Sequence, residues 1–140
     1  MSEVIDEQVA RVLLAGRLAH LVTLNPDGSP QVSLVWVGID GDQIVSGHMG
    51  AWRKVQNLQR DPRVALSMEA EGRDERGLDH YLVVHGHAEV VEGGAAPLLQ
   101  RLAGVYLGPG VKFPPVDDPQ LGYVMRITPE RFGGVGPWAE

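Results

Sequence analysis

Short apolar runs separated by tight turns bearing glycine and proline make up most of this chain, and that rhythm limits the fold more than any other feature. Leu18 to Leu24 and Pro30 to Gly38 read as strands joined by Asn25-Pro26-Asp27-Gly28, where proline presets φ and glycine accepts φ > 0. Val32, Leu34, Val35 and Val37 place apolar residues on both faces of the second strand, which predicts a largely buried element. Asp40-Gly41 marks a hairpin turn into a third strand, Gln43 to Ser46. Val64 to Met68, Tyr81 to Val91 and Tyr123 to Ile127 read as further strands, with Gly86 a bulge or a point of close backbone approach. Asp6 to Ala15, Ala51 to Gln59 and Ala95 to Tyr106 carry helical patterns, and the Asp61-Pro62 step stops the second of them. Gly47 to Gly50 reads as a flexible connector and Glu69 to Asp79 as an exposed hairpin loop. Gly108 to Pro119 has the composition of a binding loop or lid, and Arg131 to Glu140 that of a glycine-rich tail. Without regular βαβ alternation a doubly wound sheet is disfavoured; the pattern predicts an α+β, mainly β domain built on an antiparallel barrel.

Length and composition narrow the functions. At 140 residues one domain spanning 1–140 is expected, large enough for one core. The net charge of −6 and the lack of a basic run argue against nucleic acid as the main partner. With no cysteine, disulfides, thiolate nucleophiles and cysteine-ligated metals are excluded. The acidic start, Met1 to Glu7, lacks the pattern of a signal peptide, and no apolar run is long enough to span a bilayer. A cytoplasmic protein is the expectation.

Few residues carry chemistry by pattern alone. Arg53-Lys54 opens the second helix and supplies positive charge, and Gly47 and Gly50 would let backbone N–H groups approach an anion. The same residues also suit an ordinary solvated helix face, and by residue type alone that is the stronger reading. Gln31 and Ser33, followed by Val35, alternate along one strand face, where small polar groups could read the edge of a planar heterocycle; an ordinary half-buried strand has the same pattern. His85 and His87 share a strand face, but a third ligand at a telling spacing is missing, so no metal site is expected. No Gly-x-Ser-x-Gly elbow and no dinucleotide fingerprint before a helix is present. Trp36, Trp52, Tyr106 and Trp138 could cover a ring system or pack in a core or subunit seam.

The hairpin Asn25 to Ser33 and the segment Lys54-Val55-Gln56-Asn57-Leu58-Gln59-Arg60-Asp61-Pro62-Arg63-Val64-Ala65, followed in order by Tyr81 to Ala88 and Ile127 to Arg131, resemble the flavin- and deazaflavin-binding split β-barrels related to pyridoxamine 5′-phosphate oxidase. The likeness is strongest to the deazaflavin (coenzyme F420)-dependent reductases. It implies a split barrel that forms a homodimer, with the cofactor in a groove at the subunit interface. It implies Lys54 on the cofactor phosphate with Arg53 beside it, and Gln31, Ser33 and Val35 along the ring or its tail. Asn57 would support the helix–strand junction, and Trp138 and the Lys112 loop would reach the groove. Where many relatives carry Ser-Thr before the helix, this chain has Gly47-His48, so one hydroxyl donor to the phosphate is missing, and either His48 replaces it or the cofactor binds differently or weakly. The implied activity is hydride transfer from reduced F420 to an electron-poor small molecule, with no side chain identified as a catalytic proton donor. An FMN-dependent oxidoreductase on the same fold, and a non-catalytic carrier of F420, haem or another ligand, are the alternatives.

Overall fold

The computed structural model describes residues 4–115 and 121–139. Seven strands and three helices are formed among them: α1 (Glu7–Leu13), β1 (Ala19–Leu24), β2 (Pro30–Val35), β3 (Gly38–Asp40), β4 (Gln43–His48), α2 (Arg53–Arg60), β5 (Arg63–Arg73), β6 (Asp79–Glu92), α3 (Ala95–Tyr106) and β7 (Tyr123–Val135). The strands make one antiparallel sheet in the order β2-β1-β5-β6-β7-β4-β3.

That order forces closure. β2 and β3 lie at opposite edges, yet only Trp36 and Val37 separate them in the chain. Flat, seven strands would hold their outer edges about 29 Å apart at ~4.8 Å per step, whereas a two-residue link reaches roughly 11 Å. The sheet therefore rolls until its edges meet, and since β2 and β3 are not paired, the barrel stays split along that seam. The corner is pinned from outside: the Val37 N–H donates to Tyr106 Oη on α3 at 3.0 Å.

The interior follows the two-residue period of each strand. Ala19 and Leu21 from β1, Leu66 and Met68 from β5, Leu82 and Val84 from β6, and Met125 and Ile127 from β7 are all buried. Parity breaks once, on β7, where Ile127 and Phe132 both point inward. The cause is a bulge: His85 pairs with Arg131 but Gly86 pairs with Pro129, leaving Glu130 as the extra residue. Gly86 is required there, because a Cβ on it would sit 2.3 Å from the Thr128 carbonyl oxygen. The sequence expectation at Gly86 is thus met as close approach, with the inserted residue on the opposite strand.

Helix α1 begins at Asp6, whose Oδ1 accepts the Val9 N–H at 2.9 Å. α2 lies over β1 and β6 with Val55, Asn57 and Leu58 turned inward. α3 covers the outer side of β4, so tightly that a Cβ on Gly47 would stand 3.0 Å from Leu99 Cγ and 3.3 Å from the Ala95 carbonyl oxygen.

Four expectations need correction. Pro30 to Gly38 is two strands, and β2 is an edge rather than a buried element: Val32 is 57% and Leu34 52% exposed, because nothing among the described residues covers that face. The connector expected at Gly47 to Gly50 is shorter, since Gly47 and His48 pair with β7 in β4. Most of Glu69 to Asp79 is strand; charged residues there occupy solvent-facing positions of a long hairpin, and only the turn held by Asp74 is irregular. The tail expected from Arg131 is strand to Val135, because pairing with β6 outweighs the low strand preference of Gly133 and Gly134. Of the loop expected over Gly108 to Pro119, residues 116 to 119 lie outside the described residues.

Candidate active site

A cavity of about 200 Å³ opens where the split seam, the end of β4 and the start of α2 meet. Val35, Trp36, His48, Trp52, Lys54 and Phe113 are among its walls. His48 comes from the last position of β4, on the inward face set by Ile44 and Ser46. It is 2% exposed, and its Nε2 lies 2.8 Å from Ser46 Oγ. Burial, and then the charge of Lys54, push the imidazole pKa from 6.5 down to about 3, so the ring is neutral at physiological pH.

Lys54 sits on the first turn of α2, half-buried, and its burial lowers the ammonium pKa from the ordinary value. Its Nζ stands 5.2 Å from the centre of the Trp52 ring. Trp52 is the N-cap residue and makes no side-chain cap, so the Arg53 and Lys54 N–H groups at the positive end of α2 have no cap acceptor. No acidic side chain lies in that first turn, and among the described residues none lines the cavity. A partly desolvated cation, open N–H groups and a neutral imidazole together fit an anion that also carries a flat, largely apolar body.

Gln31 and Ser33 point to the barrel side of β2, level with Thr23 and Leu21 on β1. Gln31 Oε1 and Ser33 Oγ are buried without a hydrogen-bond partner among the described residues. Buried polar atoms are normally satisfied, so two orphans on one strand face mark a place where a ligand or water completes the bonding. Asn57 supports this region from α2: its Nδ2 donates to Thr23 Oγ1 and to Asn25 Oδ1, both at 3.0 Å.

The structure thus brings Val35, His48 and Lys54 together around one cavity, with Gln31 and Ser33 further along the same strand and Arg53 exposed beside Lys54. One expectation is not met within one chain. Trp138 lies in a different cavity, of about 610 Å³, where its Nε1 donates to the Tyr81 carbonyl oxygen at 3.1 Å and its ring meets His80 edge-on. That larger space is less suited to an anion, because Arg11 pairs with Glu7 and Arg17 with Glu69. Arg60 does not extend the cationic edge either: it donates to the Leu24 carbonyl and to Asn57 Oδ1 at the far end of α2. His87, from the pair on β6, lies with Nδ1 3.0 Å from Glu130 Oε1 on the surface.

Sequence reasoning missed Phe113, which reaches the cavity by packing against Trp36 at 5.1 Å. It also missed Leu18, Leu34, Met49 and Leu99 as apolar walls. None stands at a periodic position that would single it out; only closure of the seam gathers them.

Comparison with known proteins agrees with this architecture. An F420 reductase superposes with a TM-score of 0.70 at 28% identity, covering 87% of this chain and 93% of its own. A conserved hypothetical protein of Mycobacterium tuberculosis gives 0.68 at 22% identity, over 95% of this chain and 85% of its own. HupZ of Group A Streptococcus gives 0.66 at 17% identity, over 96% and 98%. At those identities the last two show a shared fold alone. No curated protein matches the sequence. The sequence profile described as pyridoxamine 5′-phosphate oxidase matches residues 5–135, and the fold is that profile's split barrel. The chain belongs to the pyridoxamine 5′-phosphate oxidase family.

Proposed function

We propose that the protein is an oxidoreductase that binds coenzyme F420 and reduces an electron-poor small molecule. The observation that carries this reading is Lys54: a partly desolvated cation beside a helix N-terminus, with no carboxylate in the cavity lining among the described residues. Leaving such a cation unpartnered is unfavourable unless a ligand supplies the counter-charge. The 28% identity to an F420 reductase over most of both chains supports a deazaflavin as that ligand.

In this reading Lys54 and the open N–H groups of α2 hold the cofactor phosphate, Arg53 adds charge at the rim, and His48 contributes a neutral hydrogen bond. Gln31 Oε1 and Ser33 Oγ meet the polar edge of the ring, and Val35 packs against its face. When bound, the reduced deazaflavin supplies a hydride, and the acceptor takes up a proton to complete a two-electron reduction. The chain's own work is positioning: the barrel wall and α2 fix the cofactor. No side chain in the cavity is assigned as proton donor; neutral His48 is buried on Ser46, and bulk water reaches the open mouth.

The exposed apolar outer face of edge strand β2, Val32 and Leu34, supports a homodimer that closes the groove. In such a dimer Trp138, held in its own chain against Tyr81 and His80 in a different cavity from Lys54, would face the partner's groove from that position. A monomer by light scattering would count against this arrangement. The absence of a described helix long and apolar enough to cross a membrane is compatible with a cytoplasmic enzyme.

FMN is the second reading, and a specific observation favours it. F420 carries a long anionic tail, and the engagement of Arg60 elsewhere leaves a short cationic edge, which suits a single ribityl phosphate. Fluorescence titration with F420 and with FMN decides between them. Micromolar F420 binding that weakens at least about tenfold in Lys54→Met, with FMN bound more weakly, is expected. Tighter FMN binding moves the protein to the flavin branch, and binding without turnover across varied acceptors favours the carrier.

A further inference from the structure

Trp36 stacks on Tyr106 with ring centres 5.3 Å apart and planes inclined by 13°, and Phe113 leans on the same indole at 56°. Trp36 belongs to the corner that closes the barrel, Tyr106 ends α3, and Phe113 arrives on the strap that follows α3. Gln100 fastens that strap to α3. Gln100 Nε2 donates to the Val111 carbonyl oxygen at 2.7 Å, and Gln100 Oε1 accepts the Phe113 N–H at 3.0 Å. The amide of Gln100 therefore satisfies two strap backbone groups at once and fixes where the Phe113 ring can lie.

Trp36 and Phe113 form one side of the cavity, and His48 and Lys54 contribute its polar end. With Lys54 taken up by the cofactor anion, the remaining walls among the described residues offer flat aromatic surface and aliphatic side chains, with no carboxylate for a cationic substrate. Against those described walls a charged acceptor would lose hydration without gaining a partner. We infer that Phe113, held in place by Gln100, selects the substrate, and that the acceptor is an uncharged, planar, conjugated molecule lying along the Trp36–Phe113 wall. This rests on the oxidoreductase reading of the same cavity.

The test uses 1,4-naphthoquinone as a flat neutral probe and camphorquinone as a neutral dione that is not flat. Binding is measured by equilibrium dialysis to the full chain, with and without oxidised F420, so no turnover is involved. The chain has no cysteine to form thiol adducts with the quinone. The wild type is expected to prefer naphthoquinone by at least about tenfold, and Phe113→Ala to reduce that preference by roughly fivefold to tenfold. Phe113→Leu keeps an apolar side chain and is expected to lose most of the same preference. Gln100→Leu is expected to lower naphthoquinone affinity alone, and to add nothing in the Phe113→Ala background, as a residue acting through Phe113 must. Naphthoquinone affinity equal in wild type, Phe113→Ala and Phe113→Leu overturns the inference. If F420 does not bind but naphthoquinone still depends on Phe113, the selecting wall stands and the F420 reading falls.

Discussion

The burial of His48 makes a quantitative prediction about acid stability. Its folded-state pKa of about 3 lies below the 6.5 of an unhindered imidazole. Between those values the unfolded chain binds a proton that the folded chain refuses, so stability rises with pH through this window and falls as pH drops below 6.5. At pH 4.5 this one group lowers stability by about 2.7 kcal/mol relative to pH 8. That figure is insensitive to the exact folded pKa, provided it stays below about 4. For 140 residues it corresponds to roughly 9 °C in Tm. The carboxylates of Asp27, Asp40, Asp61 and Asp74 are held below 3.8 by hydrogen bonds and ion pairs, so the stability they contribute is lost mainly at lower pH. The perturbation is His48→Gln, which keeps a hydrogen-bonding group near Ser46 but cannot titrate. Thermal melts at pH 8 and pH 4.5 are compared for both proteins. The expected result is that the variant's drop in Tm is smaller than the wild type's by about 9 °C. Equal drops in the two proteins would refute the argument that His48 is buried in neutral form.

Other perturbations probe separate parts of the structure. Lys54→Met is expected to raise the Tm of the ligand-free protein while weakening cofactor binding, because a half-buried cation with a lowered pKa is replaced by an apolar side chain of similar length. Calorimetry of the free protein checks this, and a lower Tm would show that Lys54 is already satisfied within the fold. Asn57→Leu leaves the buried Thr23 Oγ1 and Asn25 Oδ1 without their donor and is expected to cost about 2–3 kcal/mol in urea unfolding. Gly86→Ala drives a methyl group to within 2.3 Å of the Thr128 carbonyl oxygen, so loss of soluble folded protein is expected. A near-wild-type melt of that variant would mean the β7 bulge relaxes freely.

The sequence revealed elements more readily than their meeting points. Ala95 to Tyr106 is legible as a helix because Leu99, Leu102 and Ala103 keep a helical period and Gly94 begins it with positive φ. Pro30 to Gly38 is misleading because Val32 and Leu34 look like core residues in one dimension; a residue's burial depends on what covers the face, and none of the described residues covers β2's outer side. Arg131 to Val135 reads as tail because glycine is a poor strand former, whereas pairing with Tyr81 to His85 is a long-range contact that no local pattern reports. The site divides in the same way. Lys54 and His48 can be suspected from charge and position in a segment, but Phe113 follows Lys54 by more than fifty residues and reaches the cavity only through a strap that Gln100 fastens.

Closure and the site depend on one corner. A chain passing between opposite sheet edges in two residues must fill that bend, and Trp36-Val37 fills it with an indole on one side and a buried valine on the other. The bend's freed Val37 N–H needs an acceptor, and Tyr106 supplies one. Placing that hydroxyl also lays the Tyr106 ring on Trp36, which gives Phe113 a rigid surface to meet. The aromatic wall is thus a consequence of how the barrel shuts. Across the cavity, α2 is held by Val55, Asn57 and Leu58 in the interior, so the Lys54 end is equally tied to the core. Between two such fixed sides runs the strap after α3, whose backbone Gln100 bonds outside the barrel, so variation there can retune which acceptor fits without disturbing either barrel closure or anion binding.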